Sequence, residues 1–241
     1  MSYQFLQNGD NALTVQFDKE INKEVNAKVT ALASLVSSNG IEGVIELIPT
    51  FTSLTVIYDC TVISAKKLKK QLDKLISSMK SESSSKATVW QIPVCYDSEF
   101  SLDMENVCNH TGLNPDEVIE LHTSKPYLIY MLGFLPGFAY LGGMDERLHT
   151  PRLSNPRLEI FKGAVGIGGE QTGIYPIASP GGWQLIGKTP INVFDPEKEN
   201  PILYKAGDYI KFYSVSLDEF YKIEAQVNDG TYTVKCEEVQ L

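Results

Sequence analysis

Apolar and polar positions change their period once, and sharply, along this chain. In the first eighty residues, Tyr3–Leu6 and Ala12–Phe17 are two strand-like runs parted by the turn residues Asn8, Gly9, Asp10 and Asn11. Val25, Val29, Leu32 and Val36 then recur at helical spacing, which predicts an amphipathic helix ended by Asn39 and Gly40. Val44–Ile48 and Leu54–Tyr58 predict a second strand pair around Pro49. Ser64 is an N-cap for a helix that carries Leu68, Leu72, Leu75, Ile76 and Met79 on one face. The order ββαββα predicts an α+β sandwich with both helices on one face of the sheet. Lys66, Lys67, Lys69, Lys70 and Lys74 fall mostly on the outer side of the second helix, where a solvated face explains them better than a binding patch.

The period is lost at Ser81-Glu82-Ser83-Ser84-Ser85-Lys86, a polar stretch of low complexity. It predicts an N-terminal α+β domain over 1–80, a linker over 81–87 and a second domain over 88–241. That second part opens with a strand, Thr88–Val94, whose Pro93 suits a sheet edge. A short helix from Ser101 to His110 is ended by Gly112, and Asn114-Pro115 start another. Tyr127–Leu132 reads as a buried strand. Short β-like runs follow at Ile160–Phe161, Ala164–Ile167, Ile174–Ile177, Trp183–Ile186, Ile191–Phe194, Tyr209–Tyr213 and Thr231–Cys236. Beyond residue 125 the pattern offers no long amphipathic helix, only a short turn around Leu217–Ile223. Many short strands without intervening helices predict a barrel or sandwich and exclude a doubly wound sheet.

Charge and cysteine usage narrow the function classes. The formal net charge of −9 disfavours nucleic acid or an anionic membrane surface as the main partner. A small anionic substrate then needs a local cluster of positive side chains. Cys60, Cys95, Cys108 and Cys236 form no CxxC pair, and His110, His122 and His149 no HxxxH pair, so neither zinc nor a disulfide framework is expected. The opening MSYQFLQNGD lacks a basic region followed by an apolar one, and no apolar run approaches 18 residues, the pattern of a cytoplasmic protein.

The chemistry gathers in one segment. Twelve of the eighteen glycines lie between Gly133 and Gly187, interleaved with Phe134, Phe138, Tyr140, Tyr175 and Trp183 and with Arg147, Arg152, Arg157 and Lys188. Loops of this composition, held by short strands, are where binding groups sit. Gly182–Thr189 satisfies the phosphate-loop pattern GxxxxGK[ST] letter for letter. Its four middle residues are Trp, Gln, Leu and Ile, which prefer a strand, and Pro190 bars the helix that must follow. A strand turn carrying an exposed Lys188 is the better reading. There is no GxSxG elbow and no evident pair of acid–base carboxylates, so no catalytic residue is assigned.

GFLPGFAYLGG at 133–143, TPRLSNPR at 150–157, GAVGIGGEQTGIYPIASPGGWQLIGKTP at 163–190 and FDP at 194–196 strongly resemble the bacterial KipI family. This family is also described as the B component of ATP-dependent 5-oxoprolinase, or allophanate hydrolase subunit 1. The resemblance covers nearly the whole chain. It implies a small N-terminal α+β domain followed by a mainly-β, cyclophilin-like barrel. It also implies a companion barrel protein, the KipA-like C component, and a LamB/YcsF-type A component. Together the three convert 5-oxo-L-proline to L-glutamate at the expense of ATP, whose site is not placed on this chain. Many relatives are expected to carry arginine where this chain has Lys188.

Under that resemblance Arg152 or Arg157 gives the substrate carboxylate a bidentate contact. Gln171 and Thr172 hydrogen-bond a carbonyl or phosphate oxygen, and Tyr140, Tyr175 and Trp183 wall a small ring. Phe134, Pro136 and Gly137 shape the turn, with Lys188 and Thr189 completing the set around one positively lined hollow. Duller roles compete: the arginines paired with acidic side chains, Tyr175 and Trp183 as barrel core. Two functions follow from the family. One is a 5-oxoprolinase component inactive without its A and C partners, with a urea-derived compound as the other substrate class. The other is an inhibitor that binds a sensor histidine kinase and blocks its autophosphorylation. Prolyl isomerase activity is a weaker third, because a barrel does not carry its function with it.

Overall fold

The computed structural model describes residues 2–79 and 86–240. The chain forms two compact units, Met1–Ser84 and Ser85–Leu241. Most of the stretch predicted as a linker lies outside the described residues, and Lys86 and Ala87 already belong to the first strand of the second unit.

The first unit contains β1 (Gln4–Asn8), β2 (Ala12–Gln16), α1 (Lys23–Asn39), β3 (Val44–Pro49), β4 (Ser53–Tyr58) and α2 (Ala65–Ser78). The strands form an antiparallel sheet in the order β1-β2-β4-β3. Period-two alternation sends Leu13, Val15, Leu54, Val56 and Tyr58 to one face, where they meet Val29, Leu32 and Val36 of α1 and Leu68, Leu72 and Ile76 of α2. Each helix starts on a side-chain cap: Asn22 accepts from the Val25 amide and Ser64 from the Lys67 amide.

The second unit contains β5 (Lys86–Cys95), α3 (Met104–Thr111), α4 (Pro115–Thr123), β6 (Tyr127–Leu132), β7 (Ala139–Gly142), β8 (Arg157–Ile160), β9 (Ala164–Gly168), β10 (Gln171–Ile174), β11 (Ser179–Gly181), β12 (Gln184–Lys188), β13 (Tyr209–Val215), α5 (Leu217–Asn228) and β14 (Cys236–Gln240). The main sheet runs β10-β9-β12-β5-β13-β6-β7, with β14 also on β5, while β8 and β11 pair separately. The end strands β7 and β10 lie against each other, so the sheet curls into a nearly closed barrel. An α+β unit is thus followed by a mainly-β one. Ile92, Val94, Ile129, Leu141, Val165, Ile167, Ile174, Ile186, Ile210 and Phe212 fill the barrel interior.

Several details differ from the sequence reading, each for a physical reason. β5 is central, not an edge: β13 runs parallel to it on one side, and β14 and β12 share the other. Pro93 is tolerated because its missing N–H points into the gap between those two. Gln91 donates to Lys235 at the end of β14, and Cys95 pairs with Lys188 of β12. The run around Leu217 is a full helix, capped by Ser216 and anchored through Phe220 and Ile223. Thr231 stays in the terminal turn of α5 through its N–H to the Gln226 carbonyl, which delays the last strand to Cys236. Ile191–Phe194 makes only an isolated bridge, Phe194 to Ile202. Helix α3 begins at Met104, because the Ser101 hydroxyl donates to the Asp97 carbonyl in a preceding turn.

One imidazole crosses the apolar interior. His122, in the last turn of α4, is fully buried and stacks on Phe212 at 4.7 Å. Its Nε2 lies 2.7 Å from the Thr172 hydroxyl, which itself donates to the Gly166 carbonyl and therefore accepts from the ring. Nδ1 is then the acceptor for the Tyr96 phenol, also at 2.7 Å. Burial drives the imidazole pKa down from 6.5 to about 3, so the folded ring stays neutral. Below pH 6.5 the unfolded chain takes up a proton there that the folded chain refuses. The unfolding free energy must therefore fall with acidification between about pH 6.5 and about pH 3, by up to about 1.4 kcal/mol per pH unit from this group. Denaturant titrations across that window should show the slope, and a shallower one for His122→Gln. An equal slope in the variant contradicts the assignment.

Candidate functional site

The glycine-rich segment builds an aromatic platform on the outside of the barrel. Val165 and Ile167 of β9 point inward, so Ala164, Gly166 and Gly168 present the outer face. Trp183, just ahead of β12, lies on that face and is 4% exposed. A Cβ at Gly168 would fall inside its indole, and one at Gly173 would sit 3.1 Å from both its Cζ3 and the Ala139 carbonyl. The glycines there are the seat of a tryptophan. Phe138 packs edge-on against Trp183 at 5.4 Å, and Tyr175 does so at 6.1 Å. Tyr140 and Phe134 extend the array from Phe138, at 5.2 and 5.4 Å.

Phe134 is 62% exposed at a φ of 64°, the one non-glycine residue at positive φ among the described residues. Its turn is fixed by the Gly133 amide on the Phe138 carbonyl and the Phe138 amide on the Leu135 carbonyl. Pro136 is exposed beside it. Gly137 is buried against Phe194, and its carbonyl accepts from the Tyr204 phenol at 2.9 Å.

The four polar groups expected around one hollow separate into two kinds. Arg152 is exposed with its guanidinium over Trp183, 5.9 Å from the ring centroid, and among the described residues no acceptor engages its N–H groups. Gln171 pairs with Gly168 at the start of β10 and shares the outer face with Gly173, so it borders the same platform. Arg157 does not remain available as a substrate clamp. Its fork closes on both oxygens of Asp103, at 2.9 and 2.8 Å. Asp103 is 2% exposed and also accepts the Leu185 amide, joining α3, β8 and β12.

Lys188 also lies elsewhere, at the far end of β12 and roughly 13 Å along the strand from Gln184. Its ammonium stands 5.0, 5.1 and 5.9 Å from the rings of Phe100, Phe220 and Phe161 and pairs with Glu224 at 3.4 Å. It is caged, not exposed. Thr172 faces the barrel interior with His122, and the Thr189 hydroxyl is buried and accepts the Ile191 amide, so neither reaches a ligand on the platform. The buried phenol of Tyr175 titrates above its usual range. Desolvation is the main cause, opposed by a backbone contact at Trp183 and by the charges of Arg152 and Arg157.

The segment that matched the phosphate loop is strand β12, laddered to β9, and no helix follows it. Its amides therefore cannot curl around a phosphate, and the chain offers no nucleotide cradle at that motif. Among the described residues no group of His, Cys, Asp or Glu is placed to hold a metal ion. No helix there is long and apolar enough to cross a membrane. Sequence reasoning missed Asp103 and Gln184. Asp103 stands at the N-cap position of α3 but turns its carboxylate to Arg157 instead, and Gln184 is hidden in a strand-like run.

Comparison with known proteins agrees with this architecture. Residues 3–204 match the family described as carboxyltransferase domain, subdomain C and D. The 5-oxoprolinase B component of Bacillus subtilis is 42% identical over 236 residues, covering 94% of this chain and 98% of that protein. A crystal structure of TTHA0988 superposes with a TM-score of 0.76 at 33% identity; the match covers 85% of this chain but only 40% of that one. The Kluyveromyces lactis urea carboxylase superposes at 0.84 over 99% of this chain and 24% of its own, at 22% identity, which shows the shared fold.

The Arg157 fork carries a prediction. Arg157→Leu leaves a buried carboxylate without its counter-charge and should cost about 3–4 kcal/mol of stability, the low end of the usual range because the guanidinium is partly exposed. Arg157→Lys should recover less than half of that, because an ammonium cannot bridge both oxygens. Urea denaturation of the three proteins measures it, and full recovery by lysine contradicts the bidentate role.

Proposed function

Since the chain belongs to the carboxyltransferase subdomain C and D family, we propose that it is the B component of an ATP-dependent 5-oxoprolinase. It works with a KipA-like C component and a LamB/YcsF-type A component, and the complex cleaves 5-oxo-L-proline to L-glutamate. Amide resonance makes the lactam carbonyl a poor electrophile. Transfer of the γ-phosphoryl group of ATP to the lactam oxygen removes that protection. Water then adds at the activated carbon and the ring C–N bond breaks, the nitrogen taking up a proton to leave as the amine. A second water hydrolyses the resulting γ-glutamyl phosphate to glutamate and inorganic phosphate.

One observation carries this chain's share of the work: Arg152 is a cation with unengaged donors lying on an aromatic floor. In this proposal its guanidinium takes the substrate carboxylate through paired N–H···O bonds. Tyr140 flanks the small ring and the Gln171 amide meets the lactam group, while Trp183, only 4% exposed, acts as the floor under Arg152 and does not touch the ring. The indole beneath the guanidinium excludes water from one side and strengthens the pairing. Catalytic base and nucleotide come from the partner proteins, so the isolated chain binds but does not turn over. A protein-docking role, with a histidine kinase as partner, is favoured by the exposed side chain of Phe134, and saturable binding to a purified kinase core tests it.

Reconstitution with the A and C components should give ATP hydrolysis that depends on 5-oxoproline. In that complex Arg152→Met should raise KM for 5-oxoproline on the order of 10- to 100-fold, with a smaller effect on kcat. Absence of 5-oxoproline-dependent turnover in a folded, assembled complex overturns the reading.

A further inference from the structure

We infer that Gln184 is the positioning residue for Arg152, an inference that rests on Arg152 being the carboxylate anchor. Three consecutive residues hold three others in opposite order. The Gly182 carbonyl accepts the Leu153 amide at 2.7 Å, the Trp183 ring lies under Arg152, and the Gln184 Nε2 donates to the Pro151 carbonyl at 2.9 Å. Both peptide groups flanking Arg152 are thereby tied to the start of β12, although residues 151–156 belong to no helix or strand.

Gln184 suits the task chemically. It is 7% exposed, and its Oε1 accepts from Asn106 of α3, which fixes the amide so that Nε2 points at Pro151. A glutamate has the same reach and no donor. A methionine has the same volume and neither group. Pro151 lacks an N–H and has a fixed φ, so its carbonyl is the handle through which the segment can be held ahead of Arg152. An arginine on an untethered loop samples many rotamers and backbone positions, and a ligand must collect it at each binding event. Held from both sides above a flat ring, it meets the carboxylate already in place.

A double-mutant cycle in the reconstituted complex separates positioning from general support. Gln184→Met should raise KM for 5-oxoproline about tenfold and leave kcat within about twofold. In the Arg152→Met background the same change should move KM by less than twofold, since the group being positioned is gone. Multiplying effects in the double variant, an unchanged KM in Gln184→Met, or a fall confined to kcat each overturns the inference. An unchanged KM in Arg152→Met overturns the anchor reading itself, and this inference with it. Should Gln184→Met not fold, Gln184→Glu, which retains the acceptor for Asn106, runs the same cycle with the same expected outcomes.

Discussion

The site depends on a steric constraint: a flat indole can rest on the outside of a β-barrel only where the strands beneath it carry no side chains. Gly168 and Gly173 provide that bare backbone, and Trp183 lies on it. Because the indole is seated, Phe138 and Tyr175 have an edge to pack against, and the outer face acquires a small core of its own with Ile160, Ala164 and Leu185. Adding one methyl group at Gly168 would push the ring off its floor and unsettle everything stacked on it. Gly168 and Gly173 thus serve the placement of an aromatic ring, while other glycines of the segment make room elsewhere, Gly142 for Tyr130 and Gly163 for the Thr189 carbonyl.

The positive charges of the segment are sorted by what surrounds them. Arg157 meets a carboxylate that is almost wholly buried, so releasing it toward a ligand would strand that charge at a cost of several kcal/mol. Lys188 is enclosed by three phenyl rings and an acidic partner, a stabilising arrangement that leaves little for an incoming anion. Arg152 alone of the three combines exposure, an aromatic floor and unengaged donors. Three basic side chains that look interchangeable in sequence therefore divide into a tie between elements, a caged ion and a free one.

Most of the elements were legible because hydrophobic period reports local geometry. Both helices of the first unit follow from Val25 to Val36 and Leu68 to Met79, and the succession of short apolar runs gives a barrel or sandwich, between which it does not choose. What escaped was set by contacts distant in sequence. Pro93 looked like an edge residue because the gap between β14 and β12 that accommodates it is created by strands more than ninety residues away. Asp103 and Arg157, 54 residues apart, carry no local signal of their pairing. Thr172 alternates like any strand residue, and only the position of His122 on another element shows that its hydroxyl is engaged inside. Local pattern placed the candidate residues in one segment; partner choice decided which of them are left without an internal partner among the described residues.

The whole-chain charge makes the surroundings of that free arginine more important than its presence. For the anionic substrate proposed above, the net charge of −9 is screened beyond about a Debye length, roughly 8 Å at physiological ionic strength, and within it the net field opposes approach. Steering therefore contributes nothing, and affinity must come from the last few ångströms. At that range the determinants are the dielectric beneath the guanidinium and the precision of its placement, not the number of nearby cations. Trp183 supplies the first, and the ties from Gly182 and Gln184 supply the second. In an acidic chain a single rigidly held arginine on an apolar floor is a better anion receptor than a loose cluster. Such a cluster would also have to be kept from neutralising itself against the surrounding carboxylates.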